Sequence, residues 1–325
     1  MKRIALLALS VVLLLAGGGV APAQASPAVA DDGAKVVRET WLDARTVDLE
    51  VDSPALGTTG MVRLIVPSGW AAQPTRTWPV LYLLHGCCEP VDYRSWDQFT
   101  DVKAFTAAKD ALVVMPTDGP AGMYTKWWNL GLKNTPDWET FHTAEVRQIV
   151  ERGYRGGTRR AVAGLSIGGY GALAYAFKHP GMFGAAASYS GVPNILSAGA
   201  PLFIKGILAR AGIFTYLDLW GSDLLMRPMW SANNPYDHVE QLRGTALYIS
   251  CGNGQTGPLD QPGQTPDIFE PPALLSTRSF TDRLQAAGIP ATVDFYGPGT
   301  HSWPYWQRAL HQSWPVLAGA LGLPA

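Results

Sequence analysis

Apolar and polar residues alternate from Thr46 to Val51 and again from Met61 to Val66, with Gly57 to Gly60 between them. That period of two predicts an antiparallel hairpin, placed at the edge of a sheet. Beyond it the alternation stops. Val80 to Leu84, Ala111 to Met115, Ala161 to Ala163, Ala185 to Tyr189, Ala246 to Ile249 and Thr292 to Tyr296 are short continuous apolar runs bounded by Gly, Pro or Asp. Such runs predict strands buried on both faces, as in a parallel sheet covered by helices. Helical patterns supply the crossovers. Thr135-Pro136-Asp137 reads as an N-cap with proline at the first helical position, opening a helix to about Tyr154. Further helices are expected at Gly168 to His179, stopped by Pro180, at Leu274 to Ala287 and at Trp303 to Leu321. Strand and helix alternate through short links, which predicts one doubly wound α/β domain without internal repeats. Residues 192–230 interrupt the rhythm with many apolar and few charged positions. They fit either an extra packed helix pair or a cap lining an acyl pocket.

The N-terminus changes the picture of where the chain works. Met1-Lys2-Arg3 precedes an apolar run from Ile4 to Ala16, followed by Gly17-Gly18-Gly19, the layout of a secretory signal too short for a confident membrane span. Ala23-Gln24-Ala25 and Ala28-Val29-Ala30 each match an A-x-A cleavage pattern. The expectation is a signal peptide within residues 1–30, cut after Ala25 or Ala30. A single domain to residue 325 follows, secreted, with association to a cell wall compatible, and without a stable membrane span. Loss of Lys2 and Arg3 leaves 23 basic against 26 acidic residues, and no basic run exists to attract nucleic acid. Hydrophobic content of 47% with 16% charged residues excludes a disordered chain. The three cysteines, Cys87, Cys88 and Cys251, form neither a disulfide framework nor a zinc pattern, so no metal or cofactor is expected.

The candidate chemistry centres on Gly164-Leu165-Ser166-Ile167-Gly168, which joins a predicted strand to a predicted helix. A nucleophilic serine on a strained strand-to-helix turn needs that context, with glycines where side chains would clash. The expected fold is therefore the α/β-hydrolase fold, a mostly parallel sheet with helices on both faces. A serine hydroxyl needs a base to take its proton. His142, His179, His238 and His311 fall on or beside helices, whereas His301 follows the last strand in Gly297-Pro298-Gly299-Thr300-His301, where this fold places its base. The acid must lie between residues 166 and 301, and spacing leaves Asp260, Asp267 and Glu270 equally eligible. Backbone amides of Ile167 and Cys87, the latter in Leu83-Leu84-His85-Gly86-Cys87, are the expected oxyanion donors.

These segments resemble the secreted mycolyltransferases of the antigen 85 complex and the related actinobacterial esterases. The matching stretches are Leu83-Leu84-His85-Gly86 with Asp92-Tyr93 and Trp96-Asp97, then Trp138-Glu139-Thr140-Phe141, Gly164-Leu165-Ser166, Leu219-Trp220-Gly221, Cys251-Gly252-Asn253-Gly254 and Gly299-Thr300-His301-Ser302-Trp303. They run in family order from about residue 60 to 310. The resemblance implies Glu270 as the acid, since the family carries a glutamate some thirty residues before its histidine, with Asp260 as the fallback. It also implies His85, Cys88 and Trp303 as substrate-contacting residues. The mycolyltransferases have aspartate in place of His85 and arginine in place of Cys88, both associated with holding trehalose. The family's cysteine pair downstream of the oxyanion loop has no counterpart here. The chain is thus closer to the esterase members. The expected function is cleavage of acyl-ester or lipid substrates through an acyl-enzyme on Ser166, with water as acceptor. Mycolyltransferase-like transfer to a sugar or glycerol hydroxyl is the alternative, and a non-catalytic secreted binding protein on the same fold is an alternative of another class.

Overall fold

The computed structural model describes residues 28–325. The charged and apolar leader and the Ala25 cleavage site lie outside the described residues. Among those described, nine strands form one sheet: β1 (Lys35–Trp41), β2 (Thr46–Ser53), β3 (Thr58–Ile65), β4 (Trp78–Leu84), β5 (Leu112–Pro116), β6 (Gly156–Leu165), β7 (Ala185–Tyr189), β8 (Ala246–Gly252) and β9 (Thr292–Gly297). Their order is β1-β2-β3-β5-β4-β6-β7-β8-β9. The first four in that order pair antiparallel, and β5 through β9 pair parallel.

The hairpin forms as expected, but it is not the sheet edge, because β1 pairs outside β2. Most of β1 is exposed. A strand without a buried face carries no period-two signature, which is why the sequence concealed it. The helix expected from Thr135 instead begins after Asp137, whose carboxylate accepts the Thr140 N–H at 3.0 Å. It runs through Trp138–Thr140, a π-helical stretch at Phe141–Val146 and then Arg147–Gly153.

The parallel strands β4 to β8 each feed two cores, as their pleat requires. Val80, Tyr82 and Leu84 of β4, Val162 of β6 and Ala186 of β7 face one cluster, with the helices at 141–153 and Ile167–Lys178. Leu81, Leu83, Ala161, Ala163, Ala185 and Ala187 face the other, where Trp96 and the helix Trp303–Leu321 pack. Alanines across β7 keep the sheet thin at its centre, so the helix after β6 lies close to the strand ends that build the site.

Candidate active site

The chain passes from β4 to β5 on one side and then to β6 on the other, so the carboxyl ends of β4 and β6 flank a switch point where clefts form in open α/β sheets. Leu84 pairs with Gly164 at that edge, bringing the loop after β4 against the turn after β6. Ser166 occupies the turn with φ 53° and ψ −122°, a strained conformation for a side chain other than glycine. The positions two residues to either side must be glycines. A Cβ on Gly164 would meet the Gly168 carbonyl oxygen at 2.2 Å, and one on Gly168 would meet the His85 oxygen at 2.4 Å.

His301 and Glu270 arrive from the loops after β9 and β8. His301 Nδ1 lies 2.6 Å from Glu270 Oε2. Glu270 is fully buried, and its other oxygen accepts the Gly252 N–H at 2.6 Å and the Ser190 hydroxyl at 2.8 Å. Burial works to raise the Glu270 carboxyl, but the hydrogen bond and charge of His301, then Ser190 and Gly252, outweigh it and hold the group below its ordinary value. Trp306 stands edge-on to the His301 ring, at 5.0 Å and 87°, and donates its indole N–H to Ser190 at 3.2 Å.

The other two carboxylates do different work. Asp267 Oδ2 accepts the His301 N–H at 2.7 Å, while Oδ1 accepts the amides of Phe269 and Glu270 at 2.7 and 2.8 Å. One carboxylate therefore ties the histidine loop to the start of the helix that carries Glu270. Asp260 holds Gly257 N–H, Thr300 Oγ1 and Tyr305 OH and makes no bond to the imidazole. Sequence reasoning left Ser190, the Gly252 amide, Trp306 and the clamping role of Asp267 unseen. Ser190 and Asp267 sit in loops, Gly252 ends β8 and Trp306 lies in the first turn of the last helix, and no periodicity singles out any of them for the site.

Ile167 opens a helix, so its N–H has no carbonyl one turn back to receive it. Cys87 lines the same cavity as Ser166 and His301. Its sulfur is joined to that of Cys88. Of the side chains expected to touch substrate, Trp303 lines the cavity and the other two do not. His85 is about 1% exposed, drawn under the loop by Asp92 and the Gly86 carbonyl. Cys88 is turned aside by a left-handed φ of 78° and a 2.9 Å bond from its N–H to the Pro120 carbonyl.

The cavity holds about 260 Å³. Gly86, Cys87, Ser166 and His301 form its reactive end, and Phe203, Ile207, Arg210 and Phe269 face them, with Glu89 and Trp303 also on the wall. Phe203, Ile207 and Arg210 come from the helix Ala200–Arg210, inside the apolar 192–230 insertion. Among the described residues no group of His, Cys, Asp and Glu is disposed to hold a metal ion, and no helix is long and apolar enough to cross a membrane.

Residues 53–317 match the Esterase family model, described as "Putative esterase". An esterase of Mycobacterium tuberculosis is 33% identical over 268 residues, covering 79% of this chain, and the chain spans about half of that relative's length, 56%. The diacylglycerol acyltransferase/mycolyltransferase Ag85B of Mycobacterium avium is 31% identical over 75% of this chain and 76% of its own. Among solved structures, Mycobacterium tuberculosis MPT51 superposes with a TM-score of 0.72 at 24% identity, over 86% of this chain and 100% of its own. A fluorophosphonate-binding serine hydrolase of Staphylococcus aureus, FphF, gives 0.63 at 19% identity, over 85% and 98%. The likeness to both structures is one of fold. By its match over residues 53–317 and its resemblance to Ag85B, the chain belongs to the antigen 85-like esterase family of α/β-hydrolase fold.

Proposed function

We propose that this protein is a secreted serine ester hydrolase working through an acyl-enzyme on Ser166. The observation that carries the reading is the 2.6 Å contact between His301 Nδ1 and a fully buried Glu270, with His301 lining the same cavity as the strained Ser166. Glu270 accepts a hydrogen bond from Nδ1–H, which fixes the tautomer with Nε2 unprotonated and able to take the proton of Ser166 Oγ as that oxygen attacks the ester carbonyl. The Ile167 and Cys87 amides hold the oxyanion, and the helix N-terminus at Ile167 adds its dipole. Imidazolium then protonates the departing alcohol, and water, deprotonated by His301, releases the acid and restores Ser166.

Phe203, Ile207 and Phe269 supply the apolar wall for the acyl chain. A volume near 260 Å³ lies just below the usual range of small-ligand pockets, about 300–1,000 Å³, and favours short acyl groups. Transfer to a sugar or glycerol hydroxyl is the second reading. Two observations support it: Ag85B is named an acyltransferase, and Glu89 and Arg210 offer polar groups to an alcohol at the cavity wall.

Hydrolysis of p-nitrophenyl butyrate, with and without trehalose or glycerol, tests both. Release of butyrate that is lost in Ser166→Ala is the expected result. Accumulation of acylated trehalose or glycerol would replace hydrolysis by transfer, and turnover unchanged in Ser166→Ala would overturn the mechanism.

A further inference from the structure

The loop after β4 is pinned by its carbonyls. Leu84 O accepts the Trp96 indole N–H at 3.1 Å, and His85 O accepts the Tyr124 hydroxyl at 2.8 Å. Gly86 O lies 2.6 Å from His85 Nδ1. Three successive carbonyls are thus each held by a side chain, and the next amide but one, Cys88 N–H, is tied to Pro120 O. In a trans peptide the carbonyl and the following N–H point in opposite directions. Anchoring Gly86 O beneath the loop therefore turns the Cys87 N–H outward, and Cys87 is the residue of this pair of cysteines that reaches the cavity.

Resting on the oxyanion role proposed above, we infer that His85 is a positioning residue, whose Nδ1–H holds the Gly86 carbonyl and so aims the Cys87 N–H at the oxyanion. A carbonyl only accepts, so Nδ1 carries a proton. Nε2 lies 2.9 Å from the Asp118 backbone N and 3.2 Å from Asp92 Oδ2. If Nε2 is bare it accepts the Asp118 N–H. If it is protonated it donates to Asp92 Oδ2, and the Asp118 N–H turns to the same oxygen at 3.3 Å. Asp92 is itself fixed by the Thr117 hydroxyl and the Tyr93 N–H, both at 2.6 Å. Either protonation state leaves the Nδ1–H bond to Gly86 intact. An aspartate here, as in the mycolyltransferases the sequence resembles, has no proton to give that carbonyl at neutral pH.

The decisive comparison is among His85→Asn, His85→Gln and His85→Leu. The asparagine amide reaches the Nδ1 position and donates to Gly86 O; glutamine reaches toward Nε2; leucine donates nothing. Removing one oxyanion donor costs about 10²–10³ in kcat, and misaiming one is expected to cost about 10–100-fold in the Leu and Gln variants, with KM within about threefold. Asn is expected to recover kcat to within about fivefold of wild type. A thionoester, whose sulfur is a poor hydrogen-bond acceptor, adds a readout that general loosening does not move. The wild-type preference for the oxygen ester should shrink in Leu and Gln and persist in Asn. An unchanged oxygen-over-sulfur preference in Leu and Gln, or Gln surpassing Asn, overturns the inference. If Leu does not fold, the Asn and Gln pair decides alone. Failure of the Ser166 mechanism is distinguished by turnover surviving Ser166→Ala, whatever the His85 variants do.

Discussion

Replacing Glu270 by glutamine keeps the volume and removes the charge, and the surrounding donors dictate how the amide must sit. The Glu270 Oε1 site receives the Gly252 N–H at 2.6 Å and the Ser190 hydroxyl at 2.8 Å, so only an oxygen fits there. The glutamine NH2 is then forced to the Oε2 site, 2.6 Å from His301 Nδ1 in the wild type. A donor at that position requires Nδ1 to accept, which places the imidazole proton on Nε2 and blocks it from taking the Ser166 proton. The equivalent change in a Ser-His-Asp enzyme costs about 10⁴ in kcat through the wrong tautomer. Glu270→Gln is therefore expected to lower kcat by about 10³–10⁴, about 4–5.5 kcal/mol, with KM little changed. Asp260→Asn, at a carboxylate that makes no bond to the imidazole, should stay within about threefold, and Asp267→Asn, at the carboxylate that clamps the histidine loop, within about tenfold. Steady-state hydrolysis of p-nitrophenyl butyrate by the three folded variants measures this. A Glu270→Gln enzyme within tenfold of wild type, beside an Asp260→Asn or Asp267→Asn enzyme lowered a thousandfold, would refute the assignment.

Two further outcomes follow from other parts of the molecule. Burial, with Asp32 adding to it and the Ser53 hydroxyl and Ala55 N–H opposing, pushes the Glu145 carboxyl up to about 7 from an ordinary 4.5. The folded state then binds more protons than the unfolded one between those values, so this group's contribution to stability declines as pH rises through that window. Thermal denaturation should show Glu145→Gln raising Tm more at pH 8 than at pH 5, and an equal effect at both would contradict the argument. For the proposed secreted form, a mature N-terminus at Ser26 rather than Asp31 is expected, because Val29 bridges Lys35 and its carbonyl accepts the Arg152 guanidinium at 2.6 Å. N-terminal mass mapping of the exported protein checks it, and a start at Asp31 would show those contacts to be dispensable.

Legibility in the sequence followed burial. The run Ala185 to Tyr189 coincides with β7, and the helix at Trp303 to Leu321 has the expected bounds, because both are set by packing on a continuous core. β1 and the short helices at Ser95–Phe99 and Val102–Phe105 were not legible, since few of their residues are buried and no periodic face results. The last long helix but one starts at Glu270, four residues before its apolar pattern, because Pro271 and Pro272 occupy its first turn. Ser166 and His301 stood out through local motifs. Ser190, the clamping role of Asp267 and the interior orientation of His85 did not, because they depend on contacts such as Ser190 to Glu270, Asp267 to His301 and His85 to Asp118 that only the fold brings together. The resemblance to a sugar-handling family drew His85 toward the substrate, whereas Asp92 and Gly86 draw it beneath the loop.

The central claim is that Ser166 is the nucleophile. Intact mass and peptide mapping after treatment with a fluorophosphonate measure it most directly. One phosphonyl group on the wild type, located on Ser166 and absent from folded Ser166→Ala, is the predicted result. An unmodified wild-type protein, or a modification that persists in Ser166→Ala, would contradict it.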